Sequence, residues 1–159
     1  MTTIPKTNVM RLLDAAGIAY TPKQYAYDEH DLNGRHAADA IGLAYEQCFK
    51  TLVTHNTNGL FVFCIPVCSE LDLKKAARVA GQKALLMLHQ KDLVAKTGYM
   101  RGGCSPIGMK KQFPVFIEET AQLYDRIAVS AGKRGVQLLL DPADLAAYTR
   151  APFCDLTCG

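Results

Sequence analysis

Residues Cys48–Cys68, "CFKTLVTHNTNGLFVFCIPVC", hold two apolar runs, Cys48–His55 and Leu60–Val67, joined by "NTNG". An Asn-Gly step between two short runs rich in β-branched and aromatic residues is a hairpin signal. The elements on either side do not continue it as a regular β-α alternation. Before it come a helix in "TNVMRLLDAAG", with Val9, Leu12, Leu13 and Ala16 on one face and Gly17 as its stop, and an extended piece, Tyr20–Tyr27, despite Pro22. A second short helix, "GRHAADAIG", ends at Gly42. After it come a basic amphipathic helix, "DLKKAARVAG", a strand in Ala84–His89 and a helical turn or two in "KDLVAK". Three short β-rich runs then follow, Pro114–Glu118, Arg126–Ser130 and Val136–Leu140. "DPADLAAY" closes the series as a helix with Asp141 at the N-cap and Pro142 at the first turn. About seven strands and four or five helices in this order do not alternate regularly, which argues against a doubly wound parallel sheet. They predict an α+β fold: one mixed, hairpin-rich sheet or barrel with helices around it.

The chain has 159 residues, 49% apolar and 21% charged, which is enough for one domain spanning 1–159 with its own core. A net charge of +3 permits a polyanionic partner without demanding one. Pro66 breaks the longest apolar run, Leu60–Cys68, far short of the roughly 20 residues a spanning helix needs, so no membrane association is expected. "MTTIPKTNVM" has no apolar secretory core, and a cytoplasmic setting follows as the expectation. The six cysteines (48, 64, 68, 104, 154 and 158) are then expected as free thiols. Two pairs have C-x3-C spacing, but no histidine cluster accompanies them, so core filling outweighs a metal site.

The segment Thr97–Lys111, "TGYMRGGCSPIGMKK", concentrates glycine beside positive charge. It nearly forms a Walker A loop on Gly103 and Gly108, but Met109 takes the lysine position and Lys110 the Ser/Thr position. It nearly forms a nucleophile elbow on Ser105, but Pro106 follows the serine and Ile107 replaces the closing glycine. The histidines at 30, 36, 55 and 89 form no pattern that marks a catalytic partner. What remains is the pair Gly102–Gly103, either a tight turn or a place where bare N–H groups meet an anion or polarised carbonyl. Lys50 poses a similar choice. Inside an apolar strand, with Cys48 and Leu52 on its face, it lies on an open edge or points into a cleft. "SAGKRG", Ser130–Gly135, offers Lys133 and Arg134 as a basic tip that could join Lys110 and Lys111 in a phosphate-contacting rim.

Taken together and in order, "FKTLV", "DLKKAA", "TGYMRGGCSPIGMKK" and "SAGKRG" resemble the YbaK family of bacterial aminoacyl-tRNA deacylases. The match runs nearly the whole chain. The resemblance implies a barrel-like mixed sheet flanked by helices and no metal or organic cofactor. It implies hydrolysis in trans of Cys-tRNA(Pro) mischarged by prolyl-tRNA synthetase, with no role for DNA. The alternatives it leaves are another small mischarged residue, such as Ala-tRNA(Pro), and a non-catalytic tRNA-binding module. By motif the family's essential lysine falls on Lys50, its loop glycine on Gly102, its tyrosine on Tyr25 (with Tyr27 close by) and its serine on Ser130. Ser105, Pro106, Lys133 and Arg134 are expected to touch substrate. The chain departs from the pattern at Cys104 and in "SAG" for "SGG". An esterase without a nucleophile, triad or metal can use the substrate's own thiol, with Gly102 and Gly103 N–H groups holding the oxyanion and Lys50 as electrostatic anchor.

Overall fold

In the computed structural model, which describes residues 4–159, the helices start where side chains can satisfy their first N–H groups. Helix α1 (Asn8–Ala15) is capped by Thr7, whose side chain accepts from the Met10 N–H, and it buries Val9, Met10 and Leu13. Strand β1 (Thr21–Gln24) tolerates Pro22 because it lies at a sheet edge. Helix α2 (Gly34–Ile41) is capped by Asn33, which accepts from the Arg35 N–H. The hairpin pairs β2 (Phe49–Asn56) with β3 (Gly59–Pro66), from Phe49 opposite Pro66 to Asn56 opposite Gly59. The Asp72 carboxylate accepts from two N–H groups at the start of α3 (Leu73–Val79).

The strand expected over Ala84–His89 shrinks to β4 (Leu86–Met87), an edge pair with both side chains exposed. Helix α4 (Gln90–Thr97) and strands β5 (Val115–Glu118), β6 (Ile127–Ser130) and β7 (Val136–Leu140) follow. Helix α5 (Pro142–Thr149) has the expected Asp141 cap, and β8 (Phe153–Cys154) is a strand the sequence did not announce.

These strands form two sheets, ordered β1-β7-β6 and β4-β2-β3-β5-β8. Pairing is antiparallel except at β3–β5 and β5–β8. The mixed, mostly antiparallel α+β architecture is therefore as expected, but the barrel is not closed. The sheets meet at a parallel bridge between Cys48 and Ala128. There the Gln47 side-chain amide also donates to the Arg126 carbonyl, at 2.9 Å.

Strand β3 reads as an unbroken apolar run because both of its faces are covered. Val62 and Cys64 face the main core with Ile117, Val129, Leu138 and Leu13. Phe61, Phe63 and Ile65 face a second cluster under α3, where Phe63 stacks on Phe116 at 5.2 Å between centroids. Such a pair adds about 0.5–1.5 kcal/mol beyond area burial. One carboxylate, Glu118, is buried with them, and it accepts from the Thr120 and Leu156 N–H groups at 2.8 and 3.0 Å.

Candidate functional site

Past the Cys48–Ala128 bridge β2 and β6 part, and a cavity of about 370 Å³ lies in the opening, closed by α2 and the glycine loop. Side chains two residues apart on a strand share a face. Lys50 on β2 and Ser130 on β6 therefore stand one step beyond the bridge, and both line the cavity. Lys50 is half-buried and, among the described residues, in no ion pair. Burial pushes its ammonium below the ordinary 10.5; Arg35 adds to the shift, and Glu70 opposes it. Of the two places open to it, Lys50 takes the cleft.

The glycine loop is held by its own side chains. Thr97 Oγ1 accepts from the Tyr99 N–H, and the Tyr99 hydroxyl donates to the Ile107 carbonyl. Gly102 lies on the cavity wall at φ +84°, a conformation that favours glycine, and its N–H has no hydrogen-bond partner among the described residues.

Gly103 is different. Its N–H donates to the Met100 carbonyl at 3.0 Å, so it is not free for an oxyanion, and the residue is not on the wall. It is small because a Cβ there would sit 3.0 Å from the backbone of Lys133 and Arg134. Arg134 Nε locks the same junction by donating to the Arg101 carbonyl at 2.8 Å. Gly103→Ala is accordingly expected to cost about 1–3 kcal/mol in urea unfolding, the usual cost of overpacking.

Ser105 and Pro106 also serve the loop rather than the cavity. Ser105 is fully buried, with Oγ accepting from the Ile107 N–H at 3.1 Å, and Pro106 lines a different cavity. Around the main cavity, Tyr25, Tyr27 and Arg134 stand on the wall, whereas Lys133 is exposed and off it. The Ser130 hydroxyl accepts from the Gly132 N–H at 3.1 Å. The expected four-residue basic rim does not assemble around this cavity. Lys110 donates to the Ala95 carbonyl, and Lys111 lines the second cavity.

Sequence reasoning missed His36 and Asp31, which line the cavity with Nδ1 3.8 Å from the carboxylate. His36 on the short helix α2 reads simply as part of a solvated face, and Asp31 in the loop before it as a solvated turn residue. Cys48 and Cys104 are on the wall too. Burial raises their thiols to about 11 and about 12, which disfavours the thiolate form near pH 7. Cys64 is fully buried in the core, the filling role its sequence context suggested.

A model of the aminoacyl-tRNA editing domain matches residues 34–148, the segment that supplies Lys50, the glycine loop and Ser130. The chain belongs to the aminoacyl-tRNA editing domain family. This editing domain is 48% identical over 153 residues to a protein of Enterococcus faecalis provisionally named Cys-tRNA(Pro)/Cys-tRNA(Cys) deacylase EbsC. That match covers 96% of this chain and 93% of the relative. A proline–tRNA ligase of Shouchella clausii is 30% identical over 115 residues, 72% of this chain and 19% of the ligase. A solved structure described as a candidate trans-editing enzyme for prolyl-tRNA synthetase superposes with a TM-score of 0.84, at 26% identity and 95% coverage of both chains. No helix of the described residues is long and apolar enough to cross a membrane.

Proposed function

We propose that this editing domain is a trans-acting deacylase that removes cysteine from mischarged tRNA(Pro), with residues 1–159 working as one unit. The observation that carries the reading is the meeting in one cavity of Lys50, a half-buried cation, and the Gly102 N–H, neither of which has a partner among the described residues. A cleft lysine without a carboxylate partner is poised for an anion. An unengaged N–H at a positive-φ glycine is poised for a developing oxyanion.

Burial raises both wall thiols, which disfavours a protein thiolate and supports a reading in which the substrate's own sulfur, rather than an activated water, is the nucleophile. The cysteinyl thiolate attacks its ester carbonyl, forming a C–S bond. Collapse of the tetrahedral intermediate breaks the C–O bond to the ribose, and the thiol proton ends on the departing ribose oxygen. The products are a cyclic thiolactone, which water then opens, and free tRNA. Lys50 anchors the terminal adenosine's phosphate or ester region, and Tyr25, Ser130 and Arg134 hold the folded-back aminoacyl group. Prolyl-tRNA synthetase supplies the substrate in the cytoplasm, and no cofactor is needed.

Deacylation of a panel of cysteinyl-, alanyl- and seryl-tRNA(Pro) tests the reading. Selective loss of the cysteinyl ester is the expected result. Selective loss of the alanyl ester would make the protein a deacylase of another class, and tRNA binding with no ester loss would make it a binding module. The same preparation tests the remaining basic tip. Lys133→Ala/Arg134→Ala is expected to weaken tRNA binding and flatten its log–log salt dependence by roughly 0.7–0.9 per lost phosphate contact. An unchanged slope would take the tip out of the interface.

A further inference from the structure

We propose a second ligand site, for a nucleotide's base and phosphate, on the side of the glycine loop turned away from Lys50. The loop has two working halves. Arg101, Gly102 and Cys104 line the main cavity, and Pro106–Met109 line another of about 320 Å³. That volume falls in the range of small-ligand pockets, about 300–1,000 Å³.

Two cations, Lys111 and Arg150, stand on its wall, and among the described residues no carboxylate does. Neither is in an ion pair among the described residues. Phe113 and Tyr148, both half-buried, supply aromatic surface beside them. Cationic side chains next to aromatic rings form the pattern by which proteins hold single nucleotides of a strand, charge to phosphate and ring to base.

Arg150 carries a second, independent mark. Among the described residues it is the only non-glycine at positive φ, 59°, at the C-terminal cap of α5. Its backbone N–H closes the helix on Ala146 and Ala147, a task glycine or asparagine performs with less strain. The side chain contributes nothing to that cap. A residue at positive φ whose side chain makes no hydrogen bond or ion pair among the described residues, placed on a cavity wall, points to a ligand.

The site does not depend on the deacylase reading, and its test uses the whole chain without any ester substrate. Under ultraviolet light 8-azido-AMP is expected to label peptides containing Phe113 or Tyr148. The double variant Lys111→Ala/Arg150→Gly should cut that label at least tenfold while Tm stays the same or rises, because glycine relaxes position 150. Lys111→Glu, which leaves the cap untouched, should do the same. Lys50→Ala should leave this label unchanged, since Lys50 faces the other cavity. Competition identifies the source of the nucleotide: displacement by deacylated tRNA(Pro) well below the AMP concentration needed marks a strand site, and the reverse order marks a free nucleotide. Label confined to peptides of the Lys50 cavity, or label indifferent to both variants, would overturn the proposal.

Discussion

Seryl-tRNA(Pro) is expected to be cleaved far more slowly than cysteinyl-tRNA(Pro), by well beyond the roughly 10- to 200-fold that a shape-selective pocket extracts from one methylene. Serine and cysteine differ little in size, so the cavity beside Lys50 should admit both. They differ in acidity. A thiol with a reference pKa of about 8.5 is appreciably ionised near neutral pH, whereas a hydroxyl is scarcely ionised at all. Single-turnover ester loss on the two tRNAs measures the ratio. Trapping should find a thiolactone as the first product, and S-methylation of the substrate should stop cleavage. Similar rates for both esters, with solvent oxygen entering the amino acid directly, would instead require an activated water.

Lys50→Ala should lower kcat/KM by about 10²–10³-fold, because losing the electrostatic anchor misplaces the ester against the Gly102 N–H. It should do so in a folded protein. Because burial depresses the folded-state pKa of Lys50 below 10.5, the unfolded chain binds more protons between the folded value and 10.5. Wild-type stability therefore gains from this residue as pH rises through that window, and below it the desolvation cost is constant. The alanine variant lacks that cost, so any stability advantage it shows is fullest near neutral pH and fades toward pH 10.5. Lys50→Arg should restore little activity, since a planar fork does not replace a compact ammonium in a fitted site. Near-wild-type turnover by Lys50→Ala would remove the lysine from the mechanism.

What could be read from the sequence was what is encoded locally. The Asp141 cap, the glycine stops at Gly17 and Gly42 and the Asn-Gly turn mark their elements within a few residues, whereas the caps at Thr7, Asn33 and Asp72 were seen only in the structure. Strand β8 was hidden because two residues carry no periodicity, and it exists only by pairing with β5, with Phe153 beside Ile117. The division of the sheet was hidden for the same reason: a bridge between Cys48 and Ala128 has no local signature.

The site divides in the same way. Lys50 stood out as a charge inside an apolar strand, open to an edge or a cleft, and Gly102 as backbone freedom in a basic loop, open to a turn or an anion site. Gly103 looked equivalent to Gly102 because the contact that fixes it, the backbone at Lys133–Arg134, lies distant in sequence. Ser105 and Pro106 stood out as motif residues, but they shape the loop from inside it.

The seam between the sheets has a consequence for how substrate choice could evolve. Behind the bridge, Ala38, Cys48 and Ala128 pack with Val67 and Leu139 in a small cluster of their own. Ala38 and Ala128 are wholly buried, so neither has room for a larger side chain without movement. A larger residue at Ala128, which sits at the bridge itself, is expected to strain the seam and so to shift the gap between Lys50 and Ser130 without altering either residue. Under the deacylase reading, the range of amino acids admitted would then depend on the seam as well as on the cavity wall.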